Sequence, residues 1–406
     1  MSRIVLCWEL GSNLGHLSRL LPLAQELRRR RHEIVVVVRD VGLAAELLAP
    51  SGIPFLQAPR LAEGLANLRH PASYADMLFL QGWANSTELW GAVQAWGNLL
   101  RLARAAAVVA DYSPTALLAA RIMNLPATVL GTGFEVPPPE NPLPSFPGVS
   151  DRSPHAMAAE PRVLACANEV LKAHGAQPLE ALRDLFQTER RWLTTFAELD
   201  QYGARAGEAY IGPINRLEGA KSVSWPEGFR YRVLAYLRPN TPGLKEILSV
   251  LASRAEVAVI CAVPGLSADS LALRSRAGFQ LFSCAVSFPA VLPEANLMVS
   301  YGPAASVTQA LLKGVPQLIA PVHVEAQMTA VRVLAMGAGL VLRDDPAPVG
   351  INGAITRVLS DPRFKVRALE FAARHSEFDP ARAVCILATE IETVVAGGCS
   401  RTAAAG

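Results

Sequence analysis

Residues 3–38 read RIVLCWELGSNLGHLSRLLPLAQELRRRRHEIVVVV. The apolar run Ile4–Cys7 predicts a strand, Gly11–Gly15 a turn, and Ile34–Val38 a second strand. Between them Leu17, Leu20, Leu21, Ala24 and Leu27 recur at i, i+3, i+4, i+7 and i+10, one face of a helix. Ser18 is expected to cap the start of that helix. Pro22 lacks an N–H and is expected to distort the first turn without ending the helix. Arg28–Arg31 fall at the carboxyl end, where cations complement the helix dipole, so they read as a solvated face rather than a site for anionic lipid or nucleic acid. Strand, helix and strand in this order make one βαβ unit of a parallel sheet.

The pattern continues outward. Ala107–Ala110 and Ala127–Leu130 are strand-like and flank a helical stretch containing Leu117, Leu118 and Ile122. The segment VPPPENPLPSFP, Val136–Pro147, carries six prolines in twelve residues and predicts a stiff exposed loop. From Tyr231 the alternation restarts, with strand-like runs at Val233–Leu237, Val257–Val263, Phe279–Val286, Leu297–Tyr301, Gln317–Ala320 and Leu340–Leu342. The expected fold is therefore α/β, two Rossmann-like doubly wound domains facing a cleft, where ligands of open α/β sheets bind. Domain bounds are expected at 1–217 and 231–380, with a linker at 218–230 and a terminal helical segment at 381–406.

Composition agrees with two folded domains. The chain has 406 residues, 51% hydrophobic and 18% charged, which excludes a disordered or small stapled protein. A net charge of +3 gives no field that implies nucleic acid. The six cysteines are scattered, without CxxC pairs or histidines at zinc spacing. No basic leader or cleavage signal is visible near Met1, and no apolar run approaches a membrane span, so a cytoplasmic protein is expected. The apolar composition leaves peripheral membrane contact open.

Three places carry chemistry. His16 lies in the turn GSNLGHLS after the first strand, where the spacing GxxxG departs from the GxGxxG of a dinucleotide site. It is either a functional imidazole or a capping or packing one. Asp111 ends the run AAAVVAD at the carboxyl end of another strand, and either meets His16 as a base-orienting carboxylate or caps the next helix. The third is MVSYGPAASVTQALLKGVPQLIAPVHVEAQMTAVRVLAMGAG, Met298–Gly339, which reads as strand, tight turn, helix, strand, loop, helix. Small residues at Gly302, Ala304, Ala305 and Ser306 open its first helix, and the free amides there suit a diphosphate, although Pro303 supplies none. Glu325, in the expected loop after the next strand, suits hydrogen bonds from sugar hydroxyls. Trp83, Trp90 and Trp96 either line an apolar pocket or pack in the core. No HExxH or DxD occurs, and no metal is expected.

The order and spacing of these pieces resemble the inverting glycosyltransferases of the GT-B fold, the superfamily of UDP-glucuronosyltransferases and macrolide glycosyltransferases. Gly15, His16, Pro22 and the helix after them, the tripeptide Ile211–Pro213 and the segment 288–339 carry the resemblance, which covers most of the chain. It implies a metal-independent transferase moving a sugar from a nucleotide diphosphate sugar to a hydroxyl of a small-molecule or lipid acceptor. No other cofactor is implied. His16 becomes the catalytic base and Asp111 its partner. Tyr301, Gly302, Ala304, Ala305, Ser306, Gln309, Glu325 and Gln327 become donor contacts, and Phe288 the neighbour of the nucleotide base. Phe134 and Trp83 are the expected acceptor contacts. The last helix is implied to cross back onto the first domain.

The chain departs from the family pattern at Tyr301, which replaces a histidine, at Pro303, which replaces a glycine, and at Gln309, where an acid is common. Two alternatives stay in view: a nucleotide-sugar 2-epimerase, which shares the two-domain architecture, and, motivated by those departures, a non-catalytic helper whose donor site has decayed.

Overall fold

The computed structural model describes all residues except 13, 62–70, 150–155, 217–219, 267–276, 343–345 and 405–406, and the side chains of 156–158 and 398–404. Two compact units result, residues 1–216 with 379–406, and residues 217–378. Of the expected linker, residues 218 and 219 lie outside the described residues, as does residue 13 of the first turn.

The first unit is built on a six-stranded parallel sheet: β1 (Arg3–Trp8), β2 (Glu33–Val38), β3 (Phe55–Gln57), β4 (Ala107–Asp111), β5 (Ala127–Gly131) and β6 (Arg190–Leu193), in the order β3-β2-β1-β4-β5-β6. The second repeats that order with β7 (Tyr231–Tyr236), β8 (Val257–Ala262), β9 (Phe279–Phe282), β10 (Leu297–Ser300), β11 (Gln317–Ile319) and β12 (Gly339–Val341), arranged β12-β11-β10-β7-β8-β9. Each unit is thus the doubly wound α/β sheet read from the sequence. Buried parallel strands need apolar residues on both faces, and β7 shows why the sequence complies. Val233 and Ala235 pack with Ile247, Leu251, Ile351 and Ile355 on one face, while Leu234 packs with Val291 and Ala310 on the other. β3 and β6 are absent from the sequence reading because they are short, half-exposed edge strands with little apolar run.

The first helix corrects two expectations. It spans Leu14–Arg29, so Ser18 lies inside it rather than capping it, and Pro22 sits beyond its second turn. The helix continues because the carbonyl that Pro22 leaves without an intrahelical donor, that of Ser18, accepts from the Arg216 amide at 2.8 Å. Asn215 adds hydrogen bonds to the Gly15 carbonyl and the Ser18 hydroxyl, each 2.9 Å. The end of the first unit's main segment is therefore hooked onto the helix that carries His16. The chain-terminal helix Pro380–Ala404 packs against the same helix, where Arg30 and His32 both reach Glu392. No described helix is long and apolar enough to cross a membrane.

Candidate functional site

In the first unit the strand order reverses between β1 and β4, and such a switch point leaves a crevice at the carboxyl ends of the strands. Trp8 and Asp111 are partners in register there. The chain leaves β1 through Gly11, at φ 79°, and enters the helix that carries His16. His16 is 5% exposed and its Nδ1 lies 2.9 Å from Oδ1 of Asp111, which is fully buried. A carboxylate only accepts, so Nδ1 carries the proton and Nε2 is left as the basic nitrogen. The rings of Trp8 and Tyr112 stack on the imidazole at 5.3 and 6.0 Å. Tyr112 holds φ at 48°, a conformation uncommon for a residue other than glycine.

Two residues absent from the sequence reading complete this cluster. Arg19, one turn beyond His16, donates from Nη1 to the same Asp111 oxygen at 2.8 Å, and its Nη2 lies 3.4 Å from Glu135. Glu135 follows β5 and accepts from the Thr132 amide at 2.6 Å and from the Thr132 hydroxyl. All four side chains are nearly buried. Burial pulls the His16 pKa down, but the charge and hydrogen bond of Asp111, with the charge of Glu135, outweigh it and the pKa is raised. Burial raises that of Glu135, yet Arg19 and His16 bring it below the ordinary value. The signal for Arg19 was its i, i+3 spacing from His16. That for Glu135 was an acid just past a central strand.

His16, Asp111 and Glu135 offer ligand atoms within 4.8 Å of one another, a spacing that a divalent ion would accept. Arg19 already bridges the two carboxylates with a permanent positive charge. The cluster suits an imidazole base rather than a metal. Phe134 lies edge-on to Tyr112 at 5.7 Å, one ring away from His16. Trp83 and Trp96 are fully buried, whereas Trp90 is 44% exposed and stacks on His174.

In the second unit the equivalent reversal falls between β7 and β10, where Ser300 pairs with Tyr236. Gly302, at φ 89°, turns the chain after β10, and a Cβ there would lie 3.0 Å from both the Ala326 carbonyl and the Ile319 side chain. Pro303 is the N-cap of the helix Ala304–Leu311, whose first intrahelical bond is from Val307 to Pro303. The amides of Ala304, Ala305 and Ser306 precede that bond at the positive end of the helix.

Around this turn Tyr301 is buried with Tyr236 at 5.5 Å, and Phe288 stands edge-on to Tyr236 at 5.4 Å. The Arg238 guanidinium lies 4.8 Å above the Tyr301 ring. Burial raises the Tyr301 pKa above its usual value. His323 is the N-cap of the helix Val324–Ala335, accepting from the Ala326 amide at 3.2 Å, and burial together with Arg238 pulls its pKa down to about 4. Glu325, expected in a loop, lies in the first turn of that helix, with Gln327 half-buried beyond it. Gln309 is half-buried on the helix Ala304–Leu311. Arg238 and His323 were missed by the sequence reading, although Arg238 follows the carboxyl end of β7, the position that singled out Asp111.

Comparisons with known proteins bear on the fold and on the segment after β9. Residues 282–388 match the family model described as Erythromycin biosynthesis protein CIII-like, C-terminal domain. The aklavinone 7-beta-L-rhodosaminyltransferase of Streptomyces galilaeus is 36% identical over 104 residues, 25% of this chain and 24% of that protein. The 4'-demethylrebeccamycin synthase of Lentzea aerocolonigenes is 37% identical over 95 residues, 22% of this chain and 23% of that protein. The matched segment spans about a quarter of these curated relatives. Among solved structures, the calicheamicin glycosyltransferase CalG4 superposes with a TM-score of 0.71 at 19% identity, covering 97% of this chain and 98% of that one. The spinosyn rhamnosyltransferase SpnG complexed with thymidine diphosphate gives 0.68 at 16%, covering 95% and 100%. The chain has the GT-B fold. The turn after β10 carries the Arg238 guanidinium beside it as a positive charge, over the Tyr301 ring.

Proposed function

We propose that this GT-B protein is a metal-independent, inverting glycosyltransferase that moves a sugar from a nucleotide diphosphate sugar to a hydroxyl of a small-molecule aglycone. The observation that carries the reading is the buried His16 with Nδ1 held on Asp111. That arrangement presents Nε2 as a base with one tautomer fixed. His16 Nε2 takes the proton of the acceptor hydroxyl as its oxygen attacks the anomeric carbon, and the bond from that carbon to the diphosphate breaks with its electron pair leaving on the phosphate oxygen. Attack opposite the leaving group inverts the anomeric centre. Asp111 keeps the imidazole oriented and balances the charge of its protonated form.

Residues 1–217 take the acceptor role in this reading, with Phe134 as a contact, and residues 231–380 take the donor role. The amides of Ala304, Ala305 and Ser306 hold the diphosphate, and the helix dipole stabilises the charge that develops on it. Tyr301, Gln309, Glu325 and Gln327 surround the sugar and phosphates, and Phe288 packs near the base. The thymidine diphosphate in SpnG, and CalG4 being a glycosyltransferase of the same fold, support this assignment. The five described cysteines form no disulfide with one another, which supports a cytoplasmic location.

The test is incubation with thymidine and uridine diphosphate sugars and a panel of hydroxylated aglycones, with calorimetry of diphosphate binding beside it. Transfer that disappears in His16→Ala while thymidine diphosphate affinity stays within about twofold is expected. Undiminished transfer by that variant removes His16 from the mechanism. Absence of any nucleotide binding points instead to a helper protein.

A further inference from the structure

We infer that Arg19 and Glu135 act with Asp111 as one charge-balanced proton acceptor around His16, and that both are positioning residues for the base. The inference rests on His16 being the base of the proposed reaction. Its ground is that Asp111 Oδ1 is shared: His16 Nδ1 and Arg19 Nη1 meet the same oxygen at 2.9 and 2.8 Å, while Oδ2 is buried without a hydrogen-bond partner among the described residues. An arginine on that oxygen cancels much of the pull that a lone aspartate exerts on an imidazole. Glu135, on the other arm of the guanidinium, restores it.

Formal charges show what the arrangement accomplishes. Two carboxylates and one guanidinium leave a single net negative charge beside a neutral His16. When the imidazole takes a proton the buried cluster becomes neutral. Burying a net charge in a low-dielectric site is costly, so this cluster is favoured after proton uptake rather than before it. With Asp111 and Arg19 alone the cluster would be neutral before uptake and positive after it, the opposite bias. Thr132 holds Glu135 in place through two hydrogen bonds, which favour its ionised form.

Among the described residues, Asp111, Glu135 and Arg19 are the charged groups that act on the ring. Asp111 comes from β4, Glu135 from the segment after β5 and Arg19 from the ring's own helix. β1 contributes the Trp8 ring, and its neighbour Glu9 is turned to the Thr115 amide. Tyr112 covers a ring face, and the hooking segment brings Asn215 and Arg216 against Gly15 and Ser18.

The two positioning residues push in opposite senses, and a purely structural role would not reproduce that. The experiment is a ring-carbon NMR titration of histidine-labelled full-length protein, with the His16 signal assigned by its loss in His16→Gln. Glu135→Gln, which keeps an acceptor for Thr132, is expected to lower the His16 midpoint by about one pH unit. Arg19→Met is expected to raise it by about as much, and Arg19→Lys to return it toward the parent value. Midpoints that stay put, or that move in one direction for both variants, overturn the inference. If Arg19→Met fails to fold, Glu135→Gln decides alone, since an unchanged or raised midpoint contradicts the charge balance. The titration needs no substrate. Opposite shifts in a chain that transfers no sugar leave the charge balance standing and sink the transferase reading, whereas transfer with immobile midpoints does the reverse. Where transfer occurs, the acidic limb of its pH profile follows the same two senses.

Discussion

Gly11 lies directly against the imidazole of His16: a Cβ on Gly11 would stand 2.7 Å from Nε2 and 3.3 Å from the Tyr112 ring. The backbone there has φ 79°, which strains any L side chain. Gly11→Ala is therefore expected to push the ring out of its slot between Trp8 and Tyr112. Turnover should fall by about 100-fold, the scale of an ångström-sized misplacement. Thymidine diphosphate binding, measured by calorimetry on the same preparation, should stay unchanged, because Gly11 and the residues assigned to the donor belong to different units.

Asp111→Asn keeps the shape of the side chain and removes its charge. The amide can present its N–H₂ to Nδ1, which favours the wrong imidazole tautomer and offers nothing to the protonated ring. A loss of about 10³-fold or more in kcat, with KM moving little, is expected from steady-state kinetics. A comparable loss in diphosphate affinity would show that Asp111 serves the fold rather than the base.

The sequence made the parallel sheets and the positions of His16 and Asp111 legible for the same reason. Continuous apolar runs such as Ile4–Cys7 and Val257–Val263 mark buried strands, and polar residues at their carboxyl ends fall where α/β sheets bind ligands. β3 and β6 carry no such run because an edge strand buries little. Arg19 was hidden by its own helix: it lies among leucines on the apolar face, where hydrophobic periodicity counts only its neighbours. Its carboxylate partners come from sequence positions 92 and 116 residues away, and no local pattern pairs them. The tolerance of Pro22 was equally non-local, since the donor that relieves it belongs to Arg216.

Glu9 predicts a pH-dependent stability term. Its carboxyl accepts from the Thr115 amide at 2.9 Å, yet burial dominates that bond and the charge of Arg39, and lifts its pKa from 4.5 to about 7. The folded state then holds this proton more tightly than the unfolded one, so the contribution is fully present below pH 4.5 and is lost as pH rises to about 7. The difference is of order 3 kcal/mol. Glu9→Gln should match the parent in denaturant unfolding near pH 4.5 and exceed it at pH 8. Equal stability at both values would show that the carboxylate is not penalised by its surroundings.

Gly302→Ala tests the second unit. With φ at 89° and a Cβ 3.0 Å from the Ala326 carbonyl, an alanine cannot enter without moving the turn away from the helix Val324–Ala335. Neither the carbonyl nor the Ile319 methyl 3.0 Å away is the end of a long flexible chain, so the turn itself must give. The amides of Ala304–Ser306 follow directly, and a diphosphate held by three of them loses alignment with each. Affinity for thymidine diphosphate should drop by about tenfold or more, the scale of one or two impaired charge-assisted hydrogen bonds. The His16 midpoint should not move, because Gly302 and His16 belong to different units. Unchanged affinity in a folded Gly302→Ala protein would separate this turn from the nucleotide and leave Arg238, on the neighbouring strand end, as the residue to examine.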